Sequence, residues 1–203
     1  MKFSDVIEFR KDVYFEGAVQ ADWFYNSELS AKVSMNYVFH GNLYFDGVLE
    51  QFSKNSNRVD SVTLLKKIAE KFIHPGSNPL TLAIADYGTG KSHLAVTMGH
   101  LFSGSKYCPT VYNRVISNIS KISSEEAEDV EKLYTSTNFV LMLNGMKDFN
   151  LNSELLQVTQ KSLKLYGVDS SFLSKISKTQ ETATNFLAKT EKSSIEAYEK
   201  YAM

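Results

Sequence analysis

The segment with the most defined chemistry is Ala85-Asp86-Tyr87-Gly88-Thr89-Gly90-Lys91-Ser92. Its spacing is that of a phosphate-binding loop in which Ala85 takes the place of the first glycine. Gly88 and Gly90 permit backbone conformations and a close approach that a Cβ would block. Successive amide N–H groups then turn inward, and the positive N-terminus of a following helix completes a cradle for phosphate oxygens. Lys91 is the expected catalytic cation, able to reach the β- and γ-phosphates, and the Ser92 hydroxyl is the expected ligand for Mg2+ bridging them. The nucleotide-binding set read from the sequence is Ala85, Asp86, Tyr87, Gly88, Thr89, Gly90, Lys91, Ser92 and His93. Of these, His93 reads either as a packing residue or as one that supports the site from behind, rather than as a base.

The flanking pattern supplies elements that would position such a loop. Upstream, Leu80-Thr81-Leu82-Ala83-Ile84-Ala85 is a short apolar run, as expected of a buried parallel strand. Downstream, Leu94, Ala95, Met98 and Leu101 recur at helical spacing. A helix is predicted from Asp60 or Ser61, with Val62, Leu65, Ile68, Ala69 and Phe72 on one face and a stop before Pro75-Gly76. Two more are predicted over 110–120 and 124–134, the second with Ser123 and Glu126 at capping-box spacing and acidic residues in its first turn. Asn138-Phe139-Val140-Leu141-Met142-Leu143-Asn144 reads as a second buried strand, followed by a helix over 153–166 and a helical tail over 170–203. Residues 1–58 are aromatic-rich and irregular, with a strand expected over Val33 to Phe39 and a turn at Gly41-Asn42. The order strand, helices, strand, helix predicts an α/β fold, a P-loop NTPase core with a partial parallel sheet flanked by helices. The expected domains are an N-terminal leader over 1–58, a nucleotide-binding core over 59–167 and a helical extension over 168–203.

Composition bounds the function classes. The 203 residues carry 22 Lys+Arg against 23 Asp+Glu, so no strongly basic nucleic-acid footprint exists in the total. A single cysteine, Cys108, cannot form an intrachain disulfide, and this points to a reducing, cytoplasmic setting. No apolar run approaches the ~18 residues of a membrane span. The Cys/His spacing that zinc requires does not surround His40, His74 or His100. Trp23, Phe24, Tyr25, Tyr44 and Phe45 read first as core or interface aromatics, with stacking on bases as the alternative. Cys108 reads as inert, Lys66-Lys67 as a solvated face, and Tyr87 as a ribose contact or a packing group.

Two shortages bear on catalysis. The run Phe139 to Leu143 ends in Asn144-Gly145, not in the carboxylate that a phosphate-loop ATPase places there to hold Mg2+ or polarise water. The next acid along the chain is Asp148. Arginine, the usual supplier of a transition-state finger, occurs only as Arg10, Arg58 and Arg114.

Three segments together carry a resemblance: Gly17-Ala18-Val19-Gln20-Ala21-Asp22, Tyr37-Val38-Phe39, and Ala83 through the loop to Ser92-His93-Leu94. In these the chain resembles the N-terminal region of the very large P-loop ATPases of bacterial phage-defence systems, notably those of BREX type. Leu141-Met142-Leu143-Asn144-Gly145 and Leu151-Asn152-Ser153-Glu154-Leu155-Leu156 are similar to that family's second strand and asparagine-containing loop. The resemblance implies ATP as the nucleotide, Mg2+ as its metal and hydrolysis by in-line attack of water. It also implies oligomeric assembly with protein partners in a defence complex, DNA being reached through the assembly alone. Because that family is far longer, this chain is expected to be the nucleotide-binding N-terminal part of a larger ATPase. The alternative from another class is a non-catalytic, nucleotide-gated interaction module; a phosphate-loop kinase is a third.

Overall fold

The computed structural model describes residues 17–41, 59–74, 76, 78, 80–84, 88–145, 150–173, 175, 186 and 189–190. The chain divides into two compact units, residues 1–144 and 145–203.

In the first unit a 3-10 helix, Ala21–Tyr25, leads into α1, Ser27–Met35. Helix α2 is Ser61–Ile73, α3 is Lys91–Ser103, α4 is Pro109–Ser120 and α5 is Ser124–Leu133. Four of these five α-helices start for a local reason. Asn26 Oδ1 accepts the Leu29 N–H at 3.1 Å, Asp60 Oδ1 the Thr63 N–H at 2.9 Å and Ser123 Oγ the Glu126 N–H at 3.2 Å. Pro109 sits in the first turn of α4, where its missing N–H costs nothing.

Val62, Leu65 and Ala69 of α2 pack with Val111, Tyr112, Val115 and Ile119 of α4 and with Ala127 and Val130 of α5, closed by Phe39, Leu101 and Tyr134. The buried Tyr134 hydroxyl donates to the Leu65 carbonyl at 2.9 Å. At the edge of this core Lys66 pairs with Asp129 at 2.9 Å, so it bridges α2 and α5 instead of lying on a purely solvated face. Its ammonium is raised above the usual lysine range, chiefly by the hydrogen bond to Asp129.

Helix α1 lies along α3. His93, in the first turn of α3, meets Val33 near the end of α1, whereas Phe24, just before α1, meets His100. The two helices therefore run antiparallel. Ser30 and Ser34 of α1 and Thr97 of α3 are buried.

The second unit contains α6, Leu151–Leu165, capped by Asn150 Oδ1 on the Ser153 N–H at 3.1 Å. Gly167, at φ 68°, ends it in a Schellman turn, with Val168 N–H on the Leu163 carbonyl at 2.8 Å and Gly167 N–H on the Lys164 carbonyl at 3.1 Å.

The expected α/β fold is overturned, because no β-strand forms among the described residues and no parallel sheet is present there. Val33 to Met35 belong to α1, where the Asn26 cap and the helix-compatible residues before Val33 override its strand propensity. A buried parallel strand needs ladder partners and cover on both faces. Leu80, Leu82 and Ile84 have neither, being 75%, 79% and 87% exposed. The segment 138–144 is likewise without a ladder, and it is held from the side: Asn138 N–H donates to the Phe102 carbonyl at 3.0 Å and Met142 N–H to the Tyr25 hydroxyl at 2.7 Å. The helices expected from Asp60, after Ser92, over 110–120, 124–134 and 153–166 are present as α2 to α6. Most of the expected helical tail, and residues 1–16 and 42–58 of the leader, lie outside the described residues. Among the described residues no helix is long and apolar enough to cross a membrane.

Two stability predictions follow from the seam. A Cβ at Gly99 would stand 2.8 Å from Phe24 Cε2 and 3.0 Å from Met142 Cε, so Gly99→Ala lowers stability in urea titration by about 1–3 kcal/mol. His100 is 7% exposed, its Nε2 has no hydrogen-bond partner among the described residues, and burial lowers its pKa to about 4. Above about pH 6.5 the imidazole is neutral whether folded or unfolded. As pH falls from there towards 4, only the unfolded chain takes up the proton, so stability declines across that window. The loss is on the order of 3 kcal/mol at most, and His100→Met removes this part of the urea-monitored pH dependence.

Candidate functional site

The loop singled out by its spacing leads straight into α3. Gly88 has φ 80° and Gly90 φ 83°, both in the left-handed region. A Cβ at either position would meet no atom within 4 Å, so backbone conformation, not crowding, is what calls for glycine here. Gly90 is the N-cap of α3 and offers no side chain to the first-turn amides. Those amides are donors that an α-helix leaves without intrahelical acceptors, and together with the helix dipole they favour an anion.

Lys91 and Ser92 are exposed in the first turn of α3. The Lys91 ammonium stands 3.4 Å from Thr89 Oγ1. The Ser92 hydroxyl suits Mg2+, an oxygen-seeking ion that takes few protein ligands and fills its shell with phosphate and water. Among the described residues no group of three His, Cys, Asp or Glu side chains is arranged to hold a metal by itself. Ala85, Asp86 and Tyr87 lie outside the described residues, as does Asp148.

His93 turns from the loop into the seam with α1. Its Nε2 lies 2.7 Å from the Val33 carbonyl, and its ring meets Tyr37 edge-on at 4.8 Å. Burial holds its pKa below the usual histidine value. The packing expectation for His93 therefore describes its surroundings.

The other candidates fall elsewhere. Phe24 is buried against Gly99 and His100, and Tyr25 accepts the Met142 N–H, so both aromatics serve packing. Tyr44 and Phe45 lie outside the described residues. Arg114 is exposed on α4, His74 caps the end of α2, and Cys108 is half-buried just before α4. The His40 N–H donates to Ser61 Oγ at 2.8 Å, tying the end of the leader to the start of α2.

Sequence reasoning did not foresee how the separated segments meet. Asn144 Nδ2 lies 3.5 Å from Gln20 Oε1 and 3.4 Å from Asp22 Oδ1, so the asparagine after the second apolar run contacts the leader. Tyr37 stands beside His93 of the loop helix. Such contacts are long-range and leave no periodic trace in one sequence. Comparison with protein-family models, curated proteins and solved structures finds no match.

The loop geometry carries a direct test. Gly90→Ala forces a Cβ into the left-handed region and costs about 1–2 kcal/mol in urea titration, while Gly90→Asn, which tolerates that region, recovers part of it. An alanine variant as stable as the parent would contradict the left-handed N-cap.

Proposed function

We propose that the chain binds ATP as its Mg2+ complex at residues 88–92 and the first turn of α3. One observation supports this above all: two left-handed glycines lead into a helix N-terminus without a side-chain cap, with Lys91 and Ser92 exposed on its first turn. In this reading the first-turn amides hold phosphate oxygens, the Lys91 ammonium offsets the β- and γ-phosphate charge, and Ser92 Oγ holds the metal. Bound Mg2+ supplies charge neutralisation between those phosphates. Adenine as the base rests on the resemblance to phage-defence ATPases. So do a cytoplasmic, oligomeric role with protein partners in a defence complex, and contact with DNA through that assembly.

Hydrolysis is part of this reading where another segment or partner supplies a carboxylate and an arginine finger. The second reading, a nucleotide-gated interaction module without turnover, draws on Asn144: in the sequence the apolar run 139–143 is followed by this carboxamide and not by an acid, and its side chain faces Gln20 and Asp22.

Mg·ATP at 100 times its dissociation constant stabilises the fold by about 2.7 kcal/mol, a rise in thermal midpoint of about 5–10 °C. Lys91→Ala abolishes the rise. An equal shift in that variant, or none in the parent, contradicts nucleotide binding here. Phosphate release above the Lys91→Ala background separates the enzyme from the gate.

A further inference from the structure

The C-terminus of α1 is anchored by side chains from three places. The Lys32 carbonyl accepts from Asn36 Nδ2 at 2.8 Å and the Met35 carbonyl from Asn118 Nδ2 of α4, also at 2.8 Å. The Ser34 carbonyl accepts the Tyr37 N–H at 3.3 Å. The Val33 carbonyl accepts the Asn36 N–H at 3.2 Å and faces His93 Nε2 at 2.7 Å. A carbonyl oxygen can only accept, so Nε2 carries the proton in this bond.

His93 directly follows Ser92, the residue assigned to the metal. The first turn of a helix is its least constrained part, because its amides have no intrahelical acceptors. Here Gly90 adds no cap side chain, and the space around Gly88 and Gly90 is open. The bond from His93 to α1, with the Tyr37 ring set edge-on against the imidazole, is a lateral restraint on that turn.

We propose that His93 is a positioning residue for the nucleotide site: its Nε2–H bond to the Val33 carbonyl fixes the first turn of α3 against the end of α1, so that Lys91, Ser92 and the turn's amides stand in register for the phosphates. This rests on the ATP-binding reading above. The coupling is reciprocal, since a ligand that orders the first turn of α3 also tightens the end of α1. His93 neither touches the phosphates nor moves a proton in this role.

The test uses His93→Gln, whose amide nitrogen can take the place of Nε2, and His93→Leu, which keeps bulk and loses the donor. Tyr134→Phe is the control, since it removes a buried hydrogen bond to Leu65 within the α2–α4–α5 core, a bond that neither the loop nor α1 shares. Binding is read by fluorescence titration with a Mg2+-bound ATP analogue, and folding by thermal midpoint. His93→Leu should weaken binding on the order of tenfold, the scale expected when binding groups lose their alignment. His93→Gln should stay within about threefold of the parent, and Tyr134→Phe should lower the midpoint without changing affinity. Hydrogen exchange on the parent gives a second readout: Mg·ATP should slow exchange at Asn36 and Tyr37, and it decides the matter if His93→Leu does not fold.

Equal affinity in His93→Leu and the parent, equal weakening in the Leu and Gln variants, weakening in Tyr134→Phe as large as in His93→Leu, or unchanged exchange at Asn36 and Tyr37 would each overturn the proposal. If the parent binds and Lys91→Ala does not, those outcomes remove only the role of His93. If the parent does not bind, the ATP reading and this proposal fall together.

Discussion

The close approach of α1 to α3 is the constraint on which the rest of the first unit turns. It depends on small side chains. Gly99 of α3 lets the ring of Phe24, in the 3-10 helix that leads into α1, lie where a methyl group would collide, and Ser30 and Ser34 of α1 and Thr97 of α3 are buried. Burial leaves the polar side chains near α3 with little access to water. Two of them are satisfied locally, while the Ser34 hydroxyl has no hydrogen-bond partner among the described residues. Thr97 bonds back to the His93 carbonyl at 2.9 Å, and Ser103 to the Gly99 carbonyl at 2.7 Å. The last four carbonyls of α1 are accounted for by Asn36, Tyr37, His93 and Asn118. The seam therefore fixes where α3 begins as well as where it lies, and the glycine loop precedes that point.

On the other side of α3 the interaction is of a different kind. Leu101 enters an apolar core built by α2, α4 and α5, and Phe102 stacks edge-on between Phe72 and Tyr134 at 5.3 and 4.8 Å. This face is held by burial and is tolerant of detail, whereas the α1 face is held by directional bonds and steric fit. The extended segments depend on both. Lys71 donates to the Leu80 carbonyl at 2.9 Å, the Tyr25 hydroxyl receives Met142, and Asn138 bonds to the end of α3. Side chains and helix ends secure these segments where a sheet would have used ladder bonds.

That arrangement explains which elements were legible in the sequence. Caps are local: Asp60, Ser123 and Asn150 each bond an amide three residues on, so a single sequence carries the whole signal for α2, α5 and α6. The apolar runs at Leu80 and Phe139 carry only a propensity for extended structure. A sheet requires a partner from elsewhere in the chain, and no periodicity encodes one. Helix α1 was missed for a related reason. Val33, Met35, Tyr37 and Phe39 alternate like a strand, but Val33 lies on the buried face of α1 and Phe39, beyond its end, joins the core of α2, α4 and α5.

For the proposed site, the sequence by itself set the residue types: two glycines, a lysine and a serine at fixed spacing, directly before a helical pattern. Residue type and short-range spacing suffice there, because left-handed backbone and uncapped amides are local properties. Tertiary structure alone decided that His93 reaches α1, that Asn144 meets Gln20 and Asp22, and that the apolar segment before the loop stays exposed rather than entering a sheet. Each depends on which distant residues share a surface, and that follows from the packing of α1 on α3, a contact without any periodic signature in one chain.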